Sequence, residues 1–423
     1  MRLRPVRSGQ GANSAQLRQF NERAVLQYLR RLGEASKADL ARAAGLTNNA
    51  IGMLIRELEE LGLVRDLGKK REGRRGQPAT LLSLDPRGAF SIGVRLDRGR
   101  TEVVLCDFNG TLLARHSHEI VLPPPEEALE IVAGDVRHLI TRLSDEDRPR
   151  LTGIGLAQPF NLGAWLRELE LPRETFARWD EVDFAAMLQD ATGVEVFLEN
   201  DGNAAAIAEL LYGTGREEDD FLYLFIGPAI GGGIVLGGDC LRGAHGNAAD
   251  VAVMPVPPSE LASVRDHPLG DILIARASLN SLFRHLRWSG VAVPDQTAFA
   301  TTVAAASGRA DGPVAEWIED CVAALSVSVR SIVATIDVPT VVIDSDLHGW
   351  VLDAIVTRLT ERLAADMAEA RTPPRLVHGR FGSDAGALGA AAVPLFFNFA
   401  PRSSLLTGAG GAYAEEAKHV AAE

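Results

Sequence analysis

The stretch Leu198–Glu209 reads Leu-Glu-Asn-Asp-Gly-Asn-Ala-Ala-Ala-Ile-Ala-Glu. A β-type run closes in Glu199-Asn200-Asp201 and a small-residue helix begins at once. That puts an amide and a carboxylate where a strand meets a helix, a usual ligand position in open α/β sheets. Alanine adds little bulk, so the helix can pack close behind the site. Carboxylates and amides that converge on hydroxyl groups suit a sugar. Asn200, Asp201, Asn247 and Asp250 supply that polar set, and Gly231 and Gly232 would let backbone approach a ligand closely. These six are the candidate effector-binding residues. Blander readings stay open beside them: Asp201 as the cap of its helix, Asn247 as a loop turn. His245, Asp344 and His378 read as surface or local capping residues.

A different chemistry is written at the other end of the chain. Residues 1–90 hold 17 Lys and Arg against 9 Asp and Glu, whereas the remainder holds 26 against 47. The net charge of −13 alone would argue against nucleic acid, but a basic head on an acidic body points to a nucleic-acid-binding module joined to something else. From Ser14, the residues Leu17, Phe20, Ala24, Leu26, Leu29 and Leu32 fall near one helical face, and Gly33 stops the helix. Ser36 caps a short helix over 37–43 and Gly45 supplies a tight turn. Thr47 caps a third helix with Ile51, Leu54, Ile55, Leu58 and Leu61 at helical spacing, and Gly62 ends it.

Helix, Gly-containing turn, helix is the helix-turn-helix pattern; a helical hairpin with a polar face is the alternative. The second helix of the pair presents Asn48, Asn49, Ala50, Gly52, Met53 and Arg56. Asparagine can pair bidentately with adenine, and alanine or methionine can touch a thymine methyl. Two strands are expected next, over 63–67 and 79–84. Between them lies Gly68-Lys-Lys-Arg-Glu-Gly-Arg-Arg-Gly-Gln-Pro78, a basic Gly-rich tip able to straddle phosphates as a wing. Arg74-Arg75 could enter a minor groove. The candidate DNA-binding residues are therefore Thr47, Asn48, Asn49, Ala50, Met53, Arg56, Lys69, Lys70, Arg74, Arg75 and Gln77.

The bulk properties bound the rest. A chain of 423 residues, 46% hydrophobic and 23% charged, has the composition of a soluble globular protein with two or three domains. Cys106, Cys240 and Cys321 are far apart, so neither a zinc cluster nor a disulfide framework is signalled, and cytoplasmic reduced thiols are expected. The N-terminus lacks the apolar stretch of a secretory signal, and no apolar run approaches a membrane span.

Past the linker at Asp85-Pro86, strands over 89–95, 101–106 and 111–116 are separated by the turns Asp97-Arg98-Gly99 and Asp107-Phe-Asn-Gly110. The figure returns with strands over 221–226 and 232–236, a Gly-rich turn between them and Cys240-Leu-Arg after. Two such units suggest a duplicated α/β body with a cleft between its lobes. A helix over 126–143, a short buried strand over 151–156, a strand over 194–198 and a long apolar-striped helix over 314–336 complete the outline. That helix is either core or a dimer face. Trp165 and Trp179 are either cleft wall or core.

These motifs together resemble the ROK family (repressors, open reading frames, sugar kinases). The residues that carry the resemblance are the helix-turn-helix, the wing ending Gly73-Arg-Arg-Gly-Gln-Pro-Ala79, Glu199–Ala206 and Gly227–Val256. The resemblance implies a winged helix-turn-helix followed by a two-lobed, actin/hexokinase-like (ribonuclease H-like, duplicated) body. The expected division is 14–86 for the DNA-binding domain, 87–400 for the effector-binding and dimerising body, and 401–423 for a flexible tail. It also allows a test of kinase chemistry. The kinases' base position is matched by Asp201. Their first phosphate hairpin, Asp-x-Gly-Gly-Thr-Lys, stands here as Arg95-Leu-Asp-Arg-Gly-Arg100. Their second loop, Gly-Thr-Gly-Ile-Gly-Gly-Gly, stands as Gly227-Pro-Ala-Ile-Gly-Gly-Gly233, where Pro228 removes a hydroxyl and a backbone N–H. Val253 replaces the histidine that bridges sugar and zinc, Asp250 shortens a glutamate that binds sugar hydroxyls, and Pro257–Asp266 has no zinc-binding cysteines. No cofactor and no metal are expected.

The expectation is a DNA-binding regulator, a repressor by default, with a sugar or sugar-derivative effector, a double-stranded operator, no membrane partner, and a homodimer or dimer of dimers. The alternatives are a sugar kinase with an accessory DNA-binding head and a constitutive DNA-binding protein whose body only dimerises.

Overall fold

The computed structural model describes residues 13–70, 79–166, 168–169, 171, 176–293, 312–347, 349–369 and 371–406. The head holds three helices, α1 (Ser14–Leu32), α2 (Lys37–Ala44) and α3 (Asn48–Glu60). Their starts follow from capping. Asn13 and Gln16 bond reciprocally at the head of α1, Ser36 and Asp39 at the head of α2, and Thr47 Oγ1 accepts from Ala50 N at 3.3 Å at the head of α3. Gly45 takes the left-handed conformation that turns α2 into α3. Leu29, Leu40, Ile51, Ile55 and Leu58 close the core between the helices.

A three-stranded sheet flanks them, in the order β1 (Ala35–Ser36), β3 (Ala79–Leu84), β2 (Val64–Lys70). Two residues are too few to leave a periodic signal, so β1 was not anticipated. The expected strand over 63–67 instead runs on to Lys70, past a break in register between Asp66 and Lys69. Lys69 and Lys70 therefore belong to a strand and not to the loop. Arg74, Arg75 and Gln77 lie outside the described residues.

The body is built on two sheets with one plan. The first runs β6 (Leu112–His118), β5 (Thr101–Asp107), β4 (Phe90–Leu96), β7 (Leu151–Gln158), β8 (Val196–Asn200). The second runs β11 (Asp239–Cys240), β10 (Ile230–Leu236), β9 (Phe221–Ile226), β12 (Thr340–Ser345), β13 (Arg375–His378). In each, three antiparallel strands are followed by two parallel ones, so the duplication read from the strand pattern is a duplication of topology.

Helices α4 (Pro125–Ile140) and α5 (Phe184–Thr192) cover the first sheet. Helices α7 (Leu279–Trp288), α8 (Pro313–Ile336) and α9 (Gly349–Met367) cover the second. The stripe of α8 is core, with Trp317, Cys321, Leu325 and Val329 fully buried. Trp179 is core as well, its indole N–H held by Pro123 O at 3.0 Å. Among the described residues no helix is long and apolar enough to cross a membrane.

Between the sheets run α6 (Asp201–Tyr212) and α10 (Ala385–Phe399). They touch backbone to backbone, because a Cβ at Gly389 would stand 2.7 Å from the Ala204 carbonyl carbon. Both end beneath the head. Arg23 on α1 donates to Phe397 O at 2.9 Å and to Ala400 O at 3.3 Å, at the end of α10. Arg30 donates to Phe108 O at 2.7 Å, with its guanidinium 4.9 Å from the Phe108 ring and 5.2 Å from that of Tyr212, the last residue of α6. Of the expected tail, residues 401–406 are folded, with Leu405 buried, and the rest lies outside the described residues.

Arg30 is nearly buried, so its loss strands the Phe108 carbonyl and removes two ring contacts. Arg30→Met is expected to lower stability by about 2 kcal/mol. Urea unfolding of the intact chain measures this, and an unchanged midpoint would contradict the clamp.

Candidate functional site

Strand β8 ends at Asn200 and α6 starts immediately. Asn200, not Asp201, is the helix cap: its Oδ1 accepts from Gly202 N at 2.9 Å and from Asn203 N at 3.2 Å. That spends the amide oxygen expected to face a ligand. Asp201 begins the helix, and its carboxylate accepts only the Gly202 N–H, at 2.9 Å, among the described residues. Behind it, Glu199 is buried and held by Arg242 Nε at 2.7 Å and Asn203 Nδ2 at 3.1 Å. Gly202 can lie on β10 only because no side chain intervenes. A Cβ there would sit 2.3 Å from Gly232 O, whereas a Cβ at Gly231 would meet nothing within 4 Å.

Asn247 and Asp250 meet each other, Asn247 Nδ2 donating to Asp250 Oδ2 at 3.1 Å. Between them Ala249 has φ 61, a left-handed conformation costly for a residue with a Cβ. Trp165 shares that strain, with φ 60, and packs half-buried against the core of the second lobe. Asp344 is not a helix cap. Its buried carboxylate accepts from Gly382 N at 2.9 Å and Tyr223 Oη at 3.3 Å, tying β12 to the approach of α10. His378 lies at the surface against Asp353.

On the side where a kinase would cradle phosphate, the hairpin after β4 is filled by cations. Arg95 is paired with Asp97 at 3.2 Å and Glu102 at 3.4 Å, and α10 passes over it at Gly386, where a Cβ would meet its side chain at 2.7 Å. Burial works against its charge, but Asp97, Asp346, Glu102 and Asp201 outweigh that and hold Arg95 protonated. Arg98 donates to the carbonyls of Leu162, Asn161 and Ala164 at 3.0, 2.9 and 3.0 Å. It thus fastens the segment that carries Trp165. Two residues on from Trp165's neighbour Leu166, buried Glu168 reaches the second lobe, accepting from Arg284 at 2.8 Å with His267 at 3.2 Å. Spacing could not find these partners, because Arg98 and its carbonyls, and Glu168 and Arg284, are far apart in the chain. Gln158, in register with Asn200, is a further addition: its buried Oε1 has no hydrogen-bond partner among the described residues.

The segment that begins at Pro257 is fastened by a buried ion pair. Arg276 grips Asp320 at 2.7 and 2.9 Å and donates to Pro257 O at 2.5 Å, and Ser259 Oγ donates to Asp320 at 2.5 Å. Among the described residues no cluster of three or more His, Cys, Asp or Glu is placed to hold a metal. In the head, Thr47, Asn48, Asn49, Met53 and Arg56 are exposed and Ala50 is half-buried, all on or beside one face of α3. They stand together as a surface.

Two outcomes follow. Asp320→Asn leaves Arg276 buried without its partner and is expected to cost about 3–5 kcal/mol, whereas chelators leave melting unchanged; a chelator-sensitive fold would contradict this. Burial, then Asp97, raises the Asp201 carboxyl, with Arg95 opposing. An acid that holds its proton more tightly when folded loses stability as pH rises through the raised value. Asp201→Asn should therefore melt above the wild type at neutral pH, with the gap closing as pH falls into the ordinary carboxylate range. A variant less stable at neutral pH would overturn that account.

Comparison with known proteins places this geometry. The model of the ROK family matches residues 91–395. An uncharacterized protein of Sinorhizobium fredii, y4fQ, is 30% identical over 90% of this chain and 92% of its own length. Mlc, a DNA-binding transcriptional repressor of Escherichia coli, is 27% identical over 60% of this chain, and the match spans 62% of Mlc. A crystal structure of a ROK family transcriptional regulator, described as a homologue of Mlc, superposes with TM-score 0.64 at 21% identity, over 95% of this chain and all of that one. Body topology, matched region and relatives agree: this chain belongs to the ROK family.

Proposed function

We propose that the chain is a sequence-specific DNA-binding transcriptional regulator, of the repressor kind, whose kinase-like body senses a sugar or sugar derivative without phosphorylating it. In this reading a winged helix-turn-helix over 14–86 is carried by an effector-binding, dimerising body over 87–400. The observation that supports it most is Arg95. Phosphoryl transfer needs space and negative charge for magnesium and a cradle for phosphate. Here a buried guanidinium already fills the space between Asp97 and Glu102. Asp201 remains as an acceptor for a hydroxyl, and the Asn247–Asp250 pair and the open backbone at Gly231 are the further polar groups offered to the sugar.

The partner of the head is a double-stranded operator. Asn48, Asn49, Ala50, Met53 and Arg56 read base edges, Thr47 starts the reading helix, and Lys69, Lys70, Arg74, Arg75 and Gln77 serve the backbone and minor groove. A symmetric pair of chains would set two heads about one helical turn apart. Coupling runs through α6 and α10, which begin at the cleft and end under Arg30 and Arg23, a path of about 20 Å. A sugar shifts DNA affinity only as far as it binds the two lobe arrangements unequally.

The test is a melting-temperature screen with sugars, sugar phosphates and ATP, followed by DNA titration with each ligand that stabilises the chain. At least one sugar or derivative should raise the melting temperature and change DNA affinity about fivefold or more, with no ATP consumed. ATP turnover with a sugar, lost on Asp201→Ala, would replace this reading by a sugar kinase carrying a DNA-binding head. DNA binding indifferent to every sugar would leave only a constitutive binder.

A further inference from the structure

A glycine inside a helix weakens it relative to alanine, and the fold supplies reasons for several here. Gly202 lies on β10, Gly386 clears the Arg95 side chain and Gly389 lets α10 touch α6. Gly52, the fifth residue of α3, has no such reason: a Cβ there would meet nothing within 4 Å. Gly134 in α4 is equally open, so openness alone assigns nothing. What sets Gly52 apart is its setting. One turn before it stands Asn48 and one turn after it Arg56, with Asn49 and Met53 alongside. All four are exposed, Met53 by 65%, and among the described residues none has a side-chain hydrogen bond or ion pair. The opposite face, Ile51, Leu54, Ile55 and Leu58, is locked in the head core. Bare backbone thus occupies the middle of a face made of two amides, a thioether and a cation, none of them spent on the fold.

We propose that Gly52 is a specificity-determining position for DNA. Without a Cβ, α3 settles closer to the floor of the major groove, with its backbone against a thymine methyl or base edge, and this brings Asn48 and Asn49 within reach of adenine. The favoured step opposite Gly52 is A·T. A side chain at 52 holds the helix off and takes those base contacts away while leaving phosphate contacts intact. The inference rests on the DNA-reading role proposed for the head.

The experiment uses the full chain. Wild-type protein selects from randomised duplexes long enough for two half-sites, and the most enriched duplex and an unrelated one are then titrated at one salt concentration. Gly52→Ala should melt at the same temperature or higher, bind the enriched duplex about tenfold more weakly, and bind the unrelated duplex within about twofold of wild type. Gly134→Ala, an equally open helical glycine far from α3 in sequence, should stabilise the chain and leave both affinities unchanged. Gly52→Ala binding the enriched duplex like wild type, or losing affinity equally on both duplexes, would overturn the inference while leaving DNA recognition by the head in place. A selection that enriches no duplex would instead overturn the DNA reading, and this inference with it.

Discussion

Backbone contact between α6 and α10 is the constraint from which the rest of the molecule takes its geometry. Gly389 against Ala204 and Gly202 against Gly232 leave no side-chain layer between helix and helix or helix and strand. Packed interiors deform little and tend to move as units. Asp201 is therefore set by the scaffold and not by its own side-chain freedom. The same two helices carry the site's position outward to Tyr212 and Phe397, where α1 rests. Cleft and head are joined by two short, stiff elements with a guanidinium at the far end of each.

Charge placement around that frame fixes the loops beside Asp201. Arg95 and Arg98 neutralise carboxylates and carbonyls that would otherwise want a metal or water, and they do so with fixed, planar donors. The buried Arg276–Asp320 pair likewise anchors the segment beyond the Asn247–Asp250 loop. Such buried pairs contribute less to stability than to a single defined arrangement of the segments they join.

Much of this was legible in the sequence. The second and third helices of the head were marked by Ser36, Gly45 and Thr47, whose capping chemistry is local, and the strand–turn–strand figures revealed the duplicated body because alternation and turn residues are local too. What escaped was whatever depends on contacts across the fold. The amide oxygen of Asn200 is spent on its helix, Gly202 packs on a strand thirty residues later, and β1 is too short for any period. Arg98 was visible as a departure from the kinase hairpin, but its three carbonyl partners lie more than sixty residues away. Family resemblance filled part of that gap by supplying positions that propensity cannot.

Occupancy of the ligand site should be felt at the head through α6 and α10. Hydrogen–deuterium exchange of the intact chain, with and without the sugar that stabilises it most, tests this most directly. Altered exchange is expected at Asp201–Asn203, at the start of α10, and also in α1 around Arg23 and Arg30, with the helix interiors between them unchanged. Protection confined to the cleft, with α1 exchanging identically in both states, would contradict it.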